Sequence, residues 1–187
     1  MNVTGIVLAG GQSRRMNHQD KAWLNFDGAP LIVRVISRIK NSVDGIIVSC
    51  NSNDPAYASL GYELIEDVDG GYQGPLAGIF SCALHVKTEF SFIVPCDTPN
   101  LPIDLTHQLH EKIGDHDAVI VEEQGMQHPL ILFARTSTLM NIDTHLAAGN
   151  RSVKSWLRTI SFETLHFESG SDDFININRP DQLLPLS

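Results

Sequence analysis

The chain contains no Gly-x-Gly, no Gly-Lys dipeptide and no Cys-x-x-Cys, and no apolar run approaches the ~20 residues that span a bilayer. Each absence removes a class. Without Gly-x-Gly there is no dinucleotide-binding fingerprint, so a redox dehydrogenase is excluded. Without Gly-Lys there is no P-loop. The three cysteines, Cys50, Cys82 and Cys96, match no zinc spacing, and their odd number suggests a reducing compartment. Basic residues are also scarce. Thirteen Lys and Arg against 22 Asp and Glu leave a net charge of −9, which speaks against a nucleic-acid partner. A small anionic ligand remains compatible, because a few cations focused at one site hold a phosphate on an acidic protein. Met1-Asn2-Val3-Thr4-Gly5 runs straight into an apolar segment, with no basic stretch followed by a long apolar one. We therefore expect a cytoplasmic protein with no membrane partner.

The composition is that of a globular protein, with 42% hydrophobic and 19% charged residues. Its 187 residues fit one domain spanning 1–187. Short β-branched runs alternate with helical periodicity. Strands are expected at Val3–Leu8, Gly45–Cys50, Tyr62–Ile65, Phe90–Val94, Ala118–Val121 and Leu130–Phe133, the last two around a turn at Gln124-Gly125. Shorter ones are expected at Leu165–Phe167 and Phe174–Ile177. Helices are expected from Pro30 (Leu31, Ile32, Val35, Ile36, Ile39), from Pro75 (Leu76, Ile79, Phe80, Ala83, Leu84) and from Pro102 (Leu105, Leu109, Ile113). Another carries Leu139, Ile142 and Leu146 and stops at Gly149, another carries Val153, Trp156, Leu157 and Ile160, and a last one begins at Pro180. Such alternation implies an α/β fold with a mostly parallel sheet covered on both faces, and a ligand crevice at the carboxyl ends of the strands.

Three segments follow strands and carry chemistry. In Leu8-Ala9-Gly10-Gly11-Gln12-Ser13-Arg14-Arg15-Met16, with Asp20-Lys21 beyond, adjacent glycines let backbone N–H groups approach phosphate oxygens. Arg15 and Lys21 supply positive charge there. In Pro95-Cys96-Asp97-Thr98-Pro99 the carboxylate is either a Mg²⁺ ligand beside a polyphosphate or a turn-capping Asp. Gly70-Gly71-Tyr72-Gln73-Gly74-Pro75-Leu76-Ala77-Gly78, preceded by Asp67, is either a close approach to a flat or anionic group or simply a loop and helix start. His107 and His110 are read as a solvated helix face, Trp156 as core, and Trp23 and Phe26 as packing down the loop after Lys21. No Cys–His arrangement makes Cys96 a nucleophile.

Together these residues resemble the molybdenum cofactor guanylyltransferases, the MobA type of nucleotidyltransferase. The resemblance rests on Leu8-Ala9-Gly10-Gly11-x-Ser13-x-Arg15-Met16, Asp20-Lys21, Ile65-Glu66-Asp67, Gly74-Pro75-Leu76-Ala77-Gly78, Pro95-Cys96-Asp97-Thr98-Pro99, His128-Pro129 and Asn176-Ile177-Asn178-x-Pro180. It spans essentially the whole chain in the family's order. It implies a Rossmann-like three-layer α/β/α nucleotidyltransferase fold. It also implies transfer of GMP from GTP to the terminal phosphate of molybdenum-bound molybdopterin, with pyrophosphate released and Mg²⁺ as cofactor. By the same resemblance Leu8, Ala9, Gly10 and Gly11 contact the nucleotide through the backbone, with Gly78 also in the nucleotide site. Arg15 and Lys21 hold the triphosphate, Asp67 reads the guanine or its sugar, and Asp97 holds Mg²⁺. His128, Arg151, Asn176 and Asn178 form the acceptor side. The family carries a base-contacting Asn after the second strand. That position holds Ser49 here, which leaves Ser49 and Asn51 as the candidates, with Asn51 in the nucleotide set. Asn17 stands where a glycine usually follows Arg-Met, and Asn tolerates positive φ. Cofactor-insertion enzymes and molybdoenzyme chaperones are the implied protein partners, and the expected unit is a monomer. Rival readings are a CTP-dependent transferase, a transferase with another phosphorylated acceptor, and a non-catalytic nucleotide sensor.

Overall fold

Side chains along the β-branched runs alternate between two cores, and that alternation lays out the architecture. In the computed structural model, which describes residues 1–9, 20–68, 74–168 and 172–177, β1 (Val3–Leu8) sends Val3 and Val7 to one face and Ile6 to the other. β4 (Gly45–Ser49) and β6 (Phe90–Pro95) do the same, with Val48, Phe92 and Val94 on the first face and Ile47 and Ile93 on the second. A strand buried on both sides needs a cover on each. On the first face α1 (Leu31–Ile39) and α4 (Leu105–Ile113) supply Ile32, Val35, Ile36, Ile39, Leu105, Leu109 and Ile113. On the second, α3 (Pro75–Ala83) and the short helices at Thr136–Leu139, Ile142–Ala147 and Val153–Leu157 supply Leu76, Ile79, Leu139, Ile142 and Trp156. The fold is thus a three-layer α/β/α sandwich.

Among the described residues the central sheet has seven strands. They include β5 (Glu63–Ile65), β7 (Ala118–Glu123), β8 (Met126–Arg135) and β9 (Phe162–Phe167), in the order β5-β4-β1-β6-β8-β7-β9. Four pairings are parallel, and only β8 runs against its neighbours. The reversal follows from Gln124-Gly125, where positive φ at both residues (52° and 77°) turns β7 straight back into β8. The chain winds outward from β1 through β4 to β5, then crosses over α3 to β6 on the other side of β1. That reversal places a crevice beyond Leu8 and Pro95, which are register partners.

Several expectations are corrected in detail. Pro30 ends β3 (Ala29–Pro30) and precedes the helix it was expected to start. That strand and β2 (Asn25–Phe26) form a hairpin through Asp27-Gly28, with φ of 49° and 86°. Asp-Gly is the strongest short-range hairpin signal, and it marked this element. A single helix from Leu139 to Leu146 is two short ones, while the expected stop at Gly149 lies just past the second, at φ 82°. Leu84 is 52% exposed, because α3 presses on the sheet through small residues (Ala77, Gly78, Ser81) and its buried side lies there. Phe174–Ile177 forms no strand. It crosses the end of β6, where Ile177 N–H donates to the Asp97 carbonyl (2.9 Å). His110 is not on a solvated face, since its ring meets Phe90 and Phe133 edge-on at 5.2 and 5.9 Å. The helix expected from Pro180 lies outside the described residues.

Candidate active site

Hydrogen bonding continues past the strand ends and draws four loops to one rim. Ala9 N–H donates to the Ser49 carbonyl (2.9 Å), Cys50 N–H to Ile65 (2.9 Å), and Cys96 N–H to Leu8 (3.0 Å). The residues that come next, Asn51, Glu66-Asp67 and Asp97, therefore stand side by side at the carboxyl edge. β8 enters the sheet from this same edge, which brings His128 there too.

At the centre, Lys21 Nζ lies 2.6 Å from Asp97 Oδ2, with both side chains about one-fifth exposed. Asp97 Oδ1 is buried and has no hydrogen-bond partner among the described residues. An orphaned buried carboxylate oxygen is costly unless something charged or hydrogen-bonding completes it. A Mg²⁺ ion bound through one protein carboxylate and substrate phosphates fits that oxygen. No cluster of three or more His, Cys, Asp or Glu competes as a metal site among the described residues.

Lys21 is set by its own loop. It opens a 3₁₀ turn, Lys21–Trp23, capped by Asp20, whose Oδ1 accepts from Ala22 N–H (3.1 Å). Trp23 packs edge-on against Tyr57 at 5.2 Å and onto the core, so it packs this segment down, while the Phe26 ring lies under the Arg34 guanidinium at 5.3 Å. Gly10, Gly11 and Arg15 lie outside the described residues.

On one side of this centre, Asn51 and Asp67 grip each other reciprocally. Asn51 Nδ2 donates to Asp67 Oδ2, and Asp67 N–H donates to Asn51 Oδ1, both at 2.8 Å. Asp67 is buried, and burial raises its carboxyl above the usual range while the Asn51 bond pulls it back down. Ser49 is buried. A Cβ on Gly78 would meet Ser49 Oγ at 2.5 Å and Asp67 Oδ1 at 3.4 Å. So Ser49 is covered by α3, and Asn51 is the exposed residue of the pair that sequence left open.

On the other side, His128 sits where β8 leaves register. Ile120 pairs with Leu132 but Val121 with His128, so three residues including Pro129 are extra on β8. Proline cannot donate to the ladder, which places the bulge there and re-aims His128. Its ring rests on Phe174 (5.6 Å), its Nε2 is buried without a partner among the described residues, and burial lowers its pKa so that it is neutral near pH 7. Asn176 accepts from the fully buried Thr98 hydroxyl (3.0 Å). Arg151 is exposed, and its backbone carbonyl lies beside Gly74. Asn178 lies outside the described residues. Leu8, Ala9, Lys21, Asn51, Asp67, Gly78 and Asp97 thus share one half of the rim, and His128 and Asn176 the other.

Sequence reading missed Tyr57 and Glu123, and gave Thr98 a place in a motif but no role of its own. Glu123 Oε1 is buried without a partner among the described residues, near enough to His128 to oppose the fall in its pKa. An acidic residue closing a strand beside a Gln-Gly turn was the available signal for it. The cysteines are all free and buried, and burial pushes Cys96 well above the ordinary thiol range and Cys82 up to about 12, so neither is a nucleophile.

Comparison with known proteins follows the same lines. The MobA-like NTP transferase domain matches residues 5–165. The molybdenum cofactor guanylyltransferase of Shewanella piezotolerans is 31% identical, across 100% of this chain and 93% of that one. That of Shewanella woodyi is 32% identical across 100% and 96%. Molybdopterin-guanine dinucleotide biosynthesis protein A from Archaeoglobus fulgidus superposes with a TM-score of 0.75 at 23% identity, covering 96% of this chain and 94% of that one. The CMP:2-keto-3-deoxy-manno-octonic acid synthetase complexed with CTP shares the fold at a TM-score of 0.75 and 12% identity, covering 98% and 95%.

Proposed function

From the premise that the chain belongs to the MobA-like NTP transferase family, we propose that this enzyme transfers GMP from GTP to the terminal phosphate of molybdenum-bound molybdopterin. An acceptor phosphate oxygen forms a bond to the α-phosphorus, the bond from that phosphorus to the bridging oxygen breaks, and pyrophosphate leaves with the electron pair. The product is the molybdopterin guanine dinucleotide. The observation that carries this is Lys21 and Asp97 held together at the switch point, with one carboxylate oxygen buried and without a partner among the described residues.

The acceptor is already an anion, so the protein need not supply a strong base. Positioning and charge compensation suffice. Leu8 and Ala9, leading into Gly10 and Gly11, offer backbone contacts to the nucleotide. Asn51 and Asp67, backed by Gly78, face the guanine end. Their reciprocal bonds orient both before any ligand arrives, and likeness to molybdenum cofactor guanylyltransferases favours guanine as the base read. Lys21 and Arg15 hold the triphosphate and compensate charge on the departing pyrophosphate. Asp97 would hold Mg²⁺. The ion, when bound, supplies Lewis-acid charge neutralisation of the phosphates. On the far side His128 and Asn176 receive the pterin; Arg151, whose carbonyl lies beside Gly74, and Asn178 complete the proposed acceptor set. A neutral His128 can accept or donate there without adding a charge.

A transfer assay with each α-labelled triphosphate, Mg²⁺ and molybdenum-loaded molybdopterin tests this. Label should move from GTP alone. Movement from CTP would overturn the base assignment and keep the chemistry. No movement from any triphosphate, with GTP still bound, would overturn the acceptor or turnover itself.

A further inference from the structure

Tyr57 is the largest polar side chain buried on the nucleotide side of the sheet, and neither the motifs nor the proposed chemistry uses it. It lies in α2 (Pro55–Ala58), the short helix that follows Asn51. Its ring is wholly inaccessible, yet its hydroxyl donates to Asp20 Oδ2 at 2.7 Å. The other oxygen of Asp20 caps the turn whose first residue is Lys21. Trp23, two residues beyond Lys21, closes on the Tyr57 ring edge-on at 5.2 Å. Lys21 is thus clamped from both sides, by a hydrogen bond before it and an aromatic contact after it. Its ammonium reaches Asp97 at the end of that clamp. Burial, and then the Asp20 carboxylate, push the Tyr57 hydroxyl far above the ordinary tyrosine range, so it stays a donor at every working pH. α2 is itself fixed by Asp54, which caps Ala56 N–H at 2.9 Å, three residues from Asn51.

We infer that Tyr57 is a positioning residue for the triphosphate. Through Asp20 it fixes where Lys21 presents its charge, and through α2 it ties that charge to the Asn51–Asp67 end of the site. The inference rests on Lys21 contacting the triphosphate.

The test is a double-mutant cycle of Tyr57→Phe and Lys21→Ala, read as equilibrium affinity for GTP and for GMP by calorimetry. Tyr57→Phe keeps the ring and its contact with Trp23 and loses only the hydroxyl. It should weaken GTP about tenfold, the scale of one hydrogen bond to a charged group, and leave GMP within about twofold. In the Lys21→Ala background it should add almost nothing, because its effect runs through Lys21. A purely structural role would weaken both nucleotides alike and add fully to Lys21→Ala, and that result overturns the inference. Unchanged GTP affinity in Tyr57→Phe overturns it as well, while leaving the role of Lys21 standing if Lys21→Ala alone is weak. If Lys21→Ala binds GTP normally, the triphosphate assignment of Lys21 falls, and the inference with it. Should Tyr57→Phe fail to fold, Asp20→Asn enters the same cycle. It retains the cap to Ala22 and replaces the oxygen that Tyr57 reaches.

Discussion

Asp97 and Asp67 are two carboxylates on one rim with opposite circumstances. Asp97 has a cation on one oxygen, and its other oxygen is buried without a partner among the described residues. Asp97→Asn keeps the shape and removes the charge, so we expect transfer to fall by at least about 100-fold with the circular dichroism spectrum unchanged. Activity within about tenfold of wild type would remove Asp97 from the metal site. Asp67 is buried with the Asn51 amide supporting its charge, and burial raises its pKa. A carboxyl whose folded pKa lies above its unfolded one contributes stability that is full below the unfolded pKa and lost as pH rises through the folded pKa. Above the folded pKa wild type has lost that contribution. Asp67→Asn should therefore raise Tm on the high-pH side, with a gain that shrinks as pH falls through the folded pKa, while KM for GTP rises. A Tm that drops there would mean the charge is held favourably after all. Lys21 and Asp97 were legible in sequence because glycines, cations and a carboxylate followed strands. Tyr57 was not, because a tyrosine among polar residues carries no mark of the Asp20 carboxylate 37 positions away.

Elements meet through small residues here, and α3 is the clearest case. Its Gly78 lies so near Ser49 of β4 that any side chain would meet Ser49 Oγ at 2.5 Å. Gly78→Ala should cost about 1–3 kcal/mol of stability, as overpacking does, and loosen the Asn51–Asp67 pair behind it. Ser49→Ala, which removes the colliding oxygen, should restore most of that loss in the double variant. Denaturant titration of the two single variants and the double one decides this. Additive losses would show that the helix moves away and does not clash. The helices and strands of the sandwich were largely legible, since helical periodicity and β-branched runs report burial directly. What escaped was the bulge in β8. Its reversed direction was legible from the turn at Gln124-Gly125, but its extra residues around Pro129 depend on which strand lies beside it.

The molecule as a whole carries a net charge of −9, so a triphosphate approaches against the average field and must be held by focused charge and metal. With Mg²⁺, GTP at about 100 times its Kd should stabilise the fold by about 2.7 kcal/mol, a Tm rise of roughly 5–10 °C. CTP at the same concentration should give far less, and EDTA should abolish most of the GTP effect. An EDTA-insensitive rise would show that Lys21 and the glycine loop bind the triphosphate without a metal. Equal rises with GTP and CTP would remove guanine selectivity from the Asn51–Asp67 end. Among the described residues no helix is long and apolar enough to cross a membrane, in line with the short apolar runs of the sequence. From the sequence alone came the α/β class, the carboxyl-edge crevice and the family, because alternating burial and glycine-cation motifs are local and need no partner to be read. The tertiary structure alone decided that Ser49 is covered and Asn51 exposed, that His128 sits on a bulge over Phe174, and that Tyr57 holds the loop of Lys21. Each of these is a contact between segments distant in sequence, where only the packed sheet determines which side chain faces the rim and which is sealed beneath it.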